Sequence, residues 1–339
     1  MKVLWQQARE RLKGSRCRVC PSCDGKVCAG ELPGMGGTGT GVSFRNNIAA
    51  LAAHRFVMRV LHSANEPDPS VDFLGHKLAF PVMAAPVGSV GATINSDLPE
   101  VTYANSLFSG CERAGTLAGV GDTSNLERFS NNIKAAGEKA RLVVPFIKPW
   151  SFEAVSQRMG LIAEAGCTLC GMDVDAVGLT GLRKSAAPVA TRTYREIAAY
   201  AKRAHDLGLK YIVKGIMAPD EAIIAADAGA DAVLVSNHGG RVLDHTPGTA
   251  EALPAIADAV GKRVVVMLDG GIRSGADVLK ALALGAHMTL ICRPVMIAIH
   301  GDEENGLATY YAHIREELIQ AMRLTGCADV ASVTNRILC

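Results

Sequence analysis

From residue 78 onward, short apolar runs alternate with longer stretches in which apolar residues recur at helical spacing. The runs are "LAFPVMAAP" (78–86), "GTLAG" (115–119), "RLVVPFI" (141–147) and "CTLCGMDV" (167–174) in the first half, then "YIVKG" (211–215), "DAVLVS" (231–236), "RVVVML" (263–268) and "HMTLIC" (287–292). Runs this short and this continuously apolar suit parallel strands, which are covered on both faces. The intervening stretches, such as 151–166 and 274–286, carry the period of amphipathic helices. Eight strand–helix units in roughly 250 residues predict an α/β fold, a closed (β/α)8 TIM barrel. A doubly wound sheet is the competing arrangement, but it has no place for eight evenly spaced units.

The chain before the barrel follows a different pattern. It holds four clustered cysteines, then the glycine run "ELPGMGGTGTG" (31–41), which predicts irregular backbone. The segment 42–62 then reads as a helix covering the bottom or side of the barrel. The predicted organisation is a Cys-rich N-terminal extension with its covering helix over 1–70, and the barrel over 71–339.

Composition adds exclusions. Lys and Arg total 35 against 33 Asp and Glu, a balance that gives no reason to expect nucleic acid or an anionic membrane as partner. No apolar run approaches the ~20 residues that cross a bilayer. The start, "MKVLWQQARERLKG", has no apolar signal core, so a cytoplasmic location is expected. In that compartment the ten cysteines read as reduced thiols or metal ligands rather than disulfides.

The chemistry concentrates in "LVSNHGGRVLDHTPGTAEALP" (234–254), at the end of the sixth strand, on the face where barrels place their reactive groups. Gly239 and Gly240 permit a sharp turn beside a ligand. His238 and Arg241 then bring a proton acceptor and a fixed cation to one pocket, where the cation suits a carboxylate or an oxyanion. A plainer reading makes His238 a buried histidine bonded to backbone and Arg241 a surface ion-pair partner. The position after a barrel strand, beside two glycines, favours chemistry.

"SNHGGRVLD", followed by "VVMLDGGIRSGADVLKALALGA" and "CRPV", closely resembles the FMN-dependent α-hydroxy-acid oxidase and dehydrogenase family over about 75–330. The resemblance implies that His238 takes the α-hydroxyl proton while the hydride equivalent passes to flavin, and that Arg241 grips the substrate carboxylate. It assigns Asp173, at the end of strand four, the task of orienting and charging the histidine; the alternative is that Asp173 caps the next helix. The product would be a 2-oxo acid made from a 2-hydroxy acid. For FMN itself, "DGGIRSG" (269–275) supplies a phosphate cradle of Asp269, Gly270, Gly271 and Arg273 before a helix N-terminus, with Arg293 from the next loop. Lys214 would reach flavin N1, with an ordinary barrel lysine as the alternative. Ala85, Pro86, Val87 and Ser236 would line the flavin. Family members are often tetramers, so a homo-oligomer is expected, and the electron acceptor is left open.

The chain departs from the family at the substrate clamp. Strand three offers Pro145 and Lys148 where the family has a Gln-x-Tyr pair. Leu179 stands near the usual arginine, and Cys292 replaces a glycine. Strand two reads "GTLAGVGDTSN" in place of a Thr-Ser-Ser run. Lys148, Arg183 and Lys184 are the cations available to rebuild a clamp with Arg241. These departures leave room for a larger substrate, or one that is not a simple hydroxy acid. Two other functions compete. A flavin-dependent isomerase resembling the type 2 isopentenyl diphosphate isomerases shares the barrel but not the His-Gly-Gly-Arg group. A non-catalytic flavin protein would transfer electrons or sense redox state.

Cys17, Cys20, Cys23 and Cys28 form a C-x2-C-x2-C-x4-C pattern that usual members of that family lack. Such spacing suits an iron–sulfur cluster, structural zinc, or four unliganded thiols. Cys167 and Cys170 also form a C-x2-C pair, but strand alternation assigns them to the core.

Overall fold

The computed structural model describes residues 1–179, 181–182 and 189–339. Eight parallel strands close into a barrel: β3 (Val82–Val87), β4 (Ala118–Gly121), β5 (Val143–Ile147), β6 (Leu169–Asp173), β7 (Lys210–Ile216), β8 (Ala232–Val235), β9 (Val265–Leu268) and β10 (Met288–Ile291), with β10 pairing back onto β3. Each falls within or overlaps a predicted apolar run. Their side chains are almost entirely buried, as strands covered on both faces must be. Among the described residues no helix is long and apolar enough to cross a membrane.

The interior of the barrel is packed solid at its lower end. Met83, Leu117, Val144, Leu169, Ile212, Leu234, Met267, Met288 and Leu290 fill it. Below them sits a hairpin that the hydrophobic pattern does not announce, β1 (Val71–Phe73) and β2 (His76–Leu78), whose Phe73 and Leu78 join the same cluster. Its turn residues Leu74 and Gly75 have φ of 49° and 86°, the double left-handed conformation of a tight hairpin turn. The hairpin is a floor plug, and it leaves the opposite end of the barrel as the mouth.

The N-terminal segment is built onto the barrel. Helix α1 (Lys2–Arg11) packs on α11 (Arg293–Gly301), the helix that follows the last barrel strand. Contact is close: a Cβ at Gly301 would lie 2.5 Å from the Leu4 carbonyl oxygen. Helix α2 (Val42–Ala53) packs against α9 (Thr249–Val260) and α10 (Gly275–Ala283). It is shorter than the predicted 42–62. From His54 the chain is extended and pairs with the C-terminus instead, Val57 N–H donating to Ile337 and Cys339 N–H to Arg55. Cys167 and Cys170 are buried in the core.

Candidate active site

The C-terminal strand ends surround a cavity of about 370 Å³. His238, Arg241, Lys148, Lys214, Ala85, Pro86, Val87, Asp269, Gly270, Gly271, Arg273 and Arg293 all line it, so the structure gathers most of the sequence-predicted residues at one mouth. Ser236 lies just behind, its Oγ accepting from the His238 N–H at 3.0 Å. Arg183 and Lys184 fall outside the described residues.

The loop after β8 holds its shape through three consecutive left-handed residues: His238, Gly239 and Gly240, with φ of 56°, 65° and 79°. Side chains are excluded at the two glycines by contact as well as by conformation. A Cβ on Gly239 would lie 2.7 Å from Arg293 Nη1, and one on Gly240 2.4 Å from the Phe44 backbone nitrogen. The turn presents the half-buried imidazole to the cavity, its side chain 17% exposed.

The carboxylate partner of that imidazole is Asp175, not Asp173. His238 Nδ1 stands 2.9 Å from Asp175 Oδ1. A carboxylate can only accept, so Nδ1 carries the proton and the Nε2 lone pair is left for the cavity. Asp173, the last residue of β6, is in register with Lys214 of β7. Its side chain therefore lies among lysines, bonded to Lys148 Nζ and 3.1 Å from Lys214 Nζ. After Asp173 the chain tightens into a 3-10 turn (Val174–Gly178), which swings Asp175 under the histidine. Gly215 makes the room: a Cβ there would lie 2.6 Å from Asp175 Cβ. Asp175 was not singled out in the sequence; its place two residues after Asp173, in the turn that ends the strand, is the signal that could have found it.

Electrostatics follow from this packing. Burial holds the His238 imidazole below its ordinary 6.5, with Asp175 pulling upward and Lys214 pushing further down, so the ring is a neutral base at pH 7. Burial alone would raise the Asp173 carboxyl, but Lys148 and Lys214 outweigh it and keep the group ionised. Lys214, countered by Asp173, Asp175 and Asp269, stays firmly charged. Lys148 is thus already paired, which weakens the expectation that it grips a substrate carboxylate.

Arg241 is different. Burial, reinforced by Arg293, lowers its pKa to about 10, and among the described residues it bonds only the Gly34 carbonyl. Arg293 donates to the carbonyls of Met35, Gly36 and Gly239. Neither guanidinium has a carboxylate partner among the described residues. Two cations at a cavity wall, Arg293 buried and Arg241 half-buried, with no carboxylate to neutralise them among the described residues, make an anion site.

Sequence reasoning missed three further features. Asp122, at the end of β4, is buried and accepts from the Lys148 N–H, Trp150 Nε1 and Arg158 Nε, fixing the path of the chain that carries Lys148. Arg128 stands at the cavity rim, exposed, with a 3.4 Å contact to Ser89 Oγ. Leu32, Pro33 and Met35 of the N-terminal segment form part of the cavity wall.

The residues fit FMN. The N–H groups of Gly270, Gly271 and Ile272 donate to nothing among the described residues, directly before the N-terminus of α10. Arg293 opens α11 on the neighbouring loop. Free amides and a buried guanidinium at helix starts are what a phosphate dianion needs. Asp269 Oδ1, buried without a partner on the cavity floor, and charged Lys214 beside it complete a polar edge for a flavin ring.

The barrel, the anion cradle and the imidazole–guanidinium pair together define a flavin-dependent enzyme. Comparison with known proteins gives the family: the pattern of the FMN-dependent dehydrogenases matches residues 34–205 and 184–339, and the chain belongs to that family of FMN-dependent α-hydroxy-acid oxidases and dehydrogenases. It is 31% identical to an L-lactate oxidase of Lacticaseibacillus rhamnosus (strain LMS2-1), over 88% of this chain and 86% of that one. It is 32% identical to a 4-hydroxymandelate oxidase of Amycolatopsis orientalis, over 88% and 90%. Among solved structures, a mandelate oxidase variant with (S)-mandelic acid superposes with a TM-score of 0.77 at 28% identity, covering 99% of this chain and 96% of that one.

Proposed function

We propose that the enzyme oxidises a small 2-hydroxy acid to the 2-oxo acid, with His238 as the base and Arg241 as the main anchor for the carboxylate. The observation that carries this reading is the pairing of a neutral imidazole, its Nδ1 tied to Asp175, with a half-buried guanidinium three residues on that has no carboxylate partner among the described residues. When bound, FMN supplies the two-electron acceptor. The chain's residues do the rest. Arg241 holds the carboxylate in place and Nε2 of His238 takes the hydroxyl proton. Asp175 stabilises the imidazolium that results, as a carboxylate on the far nitrogen does. Lys214 places fixed positive charge where negative charge builds. Gly270, Gly271, Arg273 and Arg293 hold the phosphate.

Because Lys148 is spent on Asp173, the carboxylate grip is expected to rest on Arg241 rather than on Lys148. The test is anaerobic bleaching of the bound flavin across lactate, glycolate, mandelate and longer 2-hydroxy acids. At least one should reduce the wild-type flavin. His238→Ala should slow that reduction by about 10²–10⁴-fold with FMN still bound. Unchanged reduction in the variant would remove His238 from the chemistry.

A further inference from the structure

The four N-terminal cysteines are not part of the mechanism above, yet the structure brings all four to one place. Cys17, Cys20, Cys23 and Cys28 line a single small void beside α11, although ten residues of chain separate the first from the last. Left-handed residues at Val19 and Gly25 turn the segment back on itself so that the sulfurs converge. Two sulfurs already accept backbone or side-chain N–H groups, Cys17 from Val19 at 3.4 Å and Cys23 from Arg273 at 3.6 Å.

The spacing of the thiols separates the possible occupants. Tetrahedral zinc with bonds of about 2.3 Å would draw its four sulfurs to within about 3.8 Å of one another. Among the described residues, the one group with ligand atoms gathered that tightly, within 4.8 Å, is Asp173, Asp175 and His238. The cysteines instead stand apart around an opening. A cluster of several metal and sulfide atoms needs that wider ring, and thiolates at two-residue gaps are how a short loop wraps one. Arg273 and Arg293 flank the ring with positive charge, which suits an anionic cluster.

The ring also touches the flavin site. Arg273 lines the cavity and donates to the Cys23 carbonyl at 3.2 Å. Met35 faces both the cavity and the cysteine void. Phe44 lies beneath both, with Arg293 3.8 Å over its ring and Gly25 flat against it. Met35 is thus part of the wall that the two share.

We propose that Cys17, Cys20, Cys23 and Cys28 bind a [4Fe–4S] cluster that carries electrons singly from the reduced flavin to a one-electron carrier protein. Oxidation of R–CH(OH)–COO⁻ to R–CO–COO⁻ releases two electrons and two protons. The electrons pass through the cluster in two successive steps, each reducing one oxidised carrier, and the protons go to solvent. Cluster binding itself stands on the cysteines and holds whatever the hydroxy acid.

The test uses full-length holoenzyme made and purified without oxygen. Expected are about four iron and four acid-labile sulfide per chain, and a dithionite titration consuming about three electron equivalents per chain rather than the two of flavin alone. The double variant Cys20→Ser/Cys23→Ser should lose iron and sulfide and keep its FMN, whereas Cys339→Ser, at an exposed and distant thiol, should lose neither. Flavin reduced photochemically should then be reoxidised by oxidised cytochrome c, a one-electron acceptor of higher potential, at least about tenfold more slowly in the double variant. Zinc without sulfide, or a metal-free wild type that takes up about two electrons, overturns the cluster. A cluster whose loss leaves reoxidation unchanged overturns the relay. Should the double variant fail to fold, the wild-type metal, sulfide and electron counts decide the matter.

Discussion

Replacing Asp175 by asparagine removes the charge that favours the imidazolium while leaving a side chain of the same shape. A charge-assisted hydrogen bond is worth about 1.5–3 kcal/mol, so flavin reduction should slow roughly 10- to 100-fold. The pH dependence adds a sign. His238 must be neutral to accept a proton, and burial already holds it below 6.5. The acid limb of kcat/KM should therefore fall below that value in the wild type. Without the Asp175 carboxylate the imidazole becomes still harder to protonate, so in Asp175→Asn the limb moves to lower pH while the plateau drops. A limb that stays put would mean the pair is only structural. Asp173→Asn acts elsewhere, because it leaves Lys148 and Lys214 facing an uncharged group in the interior. Breaking such a buried pair costs about 3–5 kcal/mol, which urea unfolding would register. The Asp173 contribution is present above the ordinary carboxyl range and is lost as pH falls below about 4. Which of two aspartates two residues apart reaches the histidine was not legible in sequence, since it turns on where β6 ends and the 3-10 turn begins.

At the scale of elements, the eight barrel strands were legible because each is buried on both sides and its apolar run is uninterrupted. Helix α2 was overread. Phe56, Val57 and Val60 continue the apolar pattern, but the backbone groups of Arg55 and Val57 pair with Cys339 and Ile337 at the C-terminus instead of continuing the helix. The floor hairpin was invisible for a different reason. Two strands of three residues are shorter than any periodicity can register, and Leu74 stands where a glycine or asparagine would have marked the turn. Its energetic weight is out of proportion to its length. Phe73 is fully buried in the barrel interior, so Phe73→Ala should cost about 3–5 kcal/mol. Thermal or urea unfolding would measure this, and folded protein should still take up one FMN per chain because the site lies at the other end.

For the whole molecule, the cradle makes a prediction that separates phosphate from ring. FMN at about a hundred times its dissociation constant should stabilise apoprotein by about 2.7 kcal/mol. Riboflavin at the same concentration has no phosphate for Gly270, Gly271 and Arg293 to hold, and should raise the melting temperature far less. Equal shifts would mean that the cradle contributes nothing. The general location of the cradle was readable from its glycines and from the helix that follows. The docking of the N-terminal segment was not, because arginines bonding to carbonyl oxygens leave no pattern in a sequence.

The floor plug has a bearing on traffic. A barrel sealed at one end is a cul-de-sac, so a spent 2-oxo acid has to back out by the doorway its precursor used. A diffusible oxidant would wait its turn at that same doorway, and the two half-reactions would alternate in strict succession.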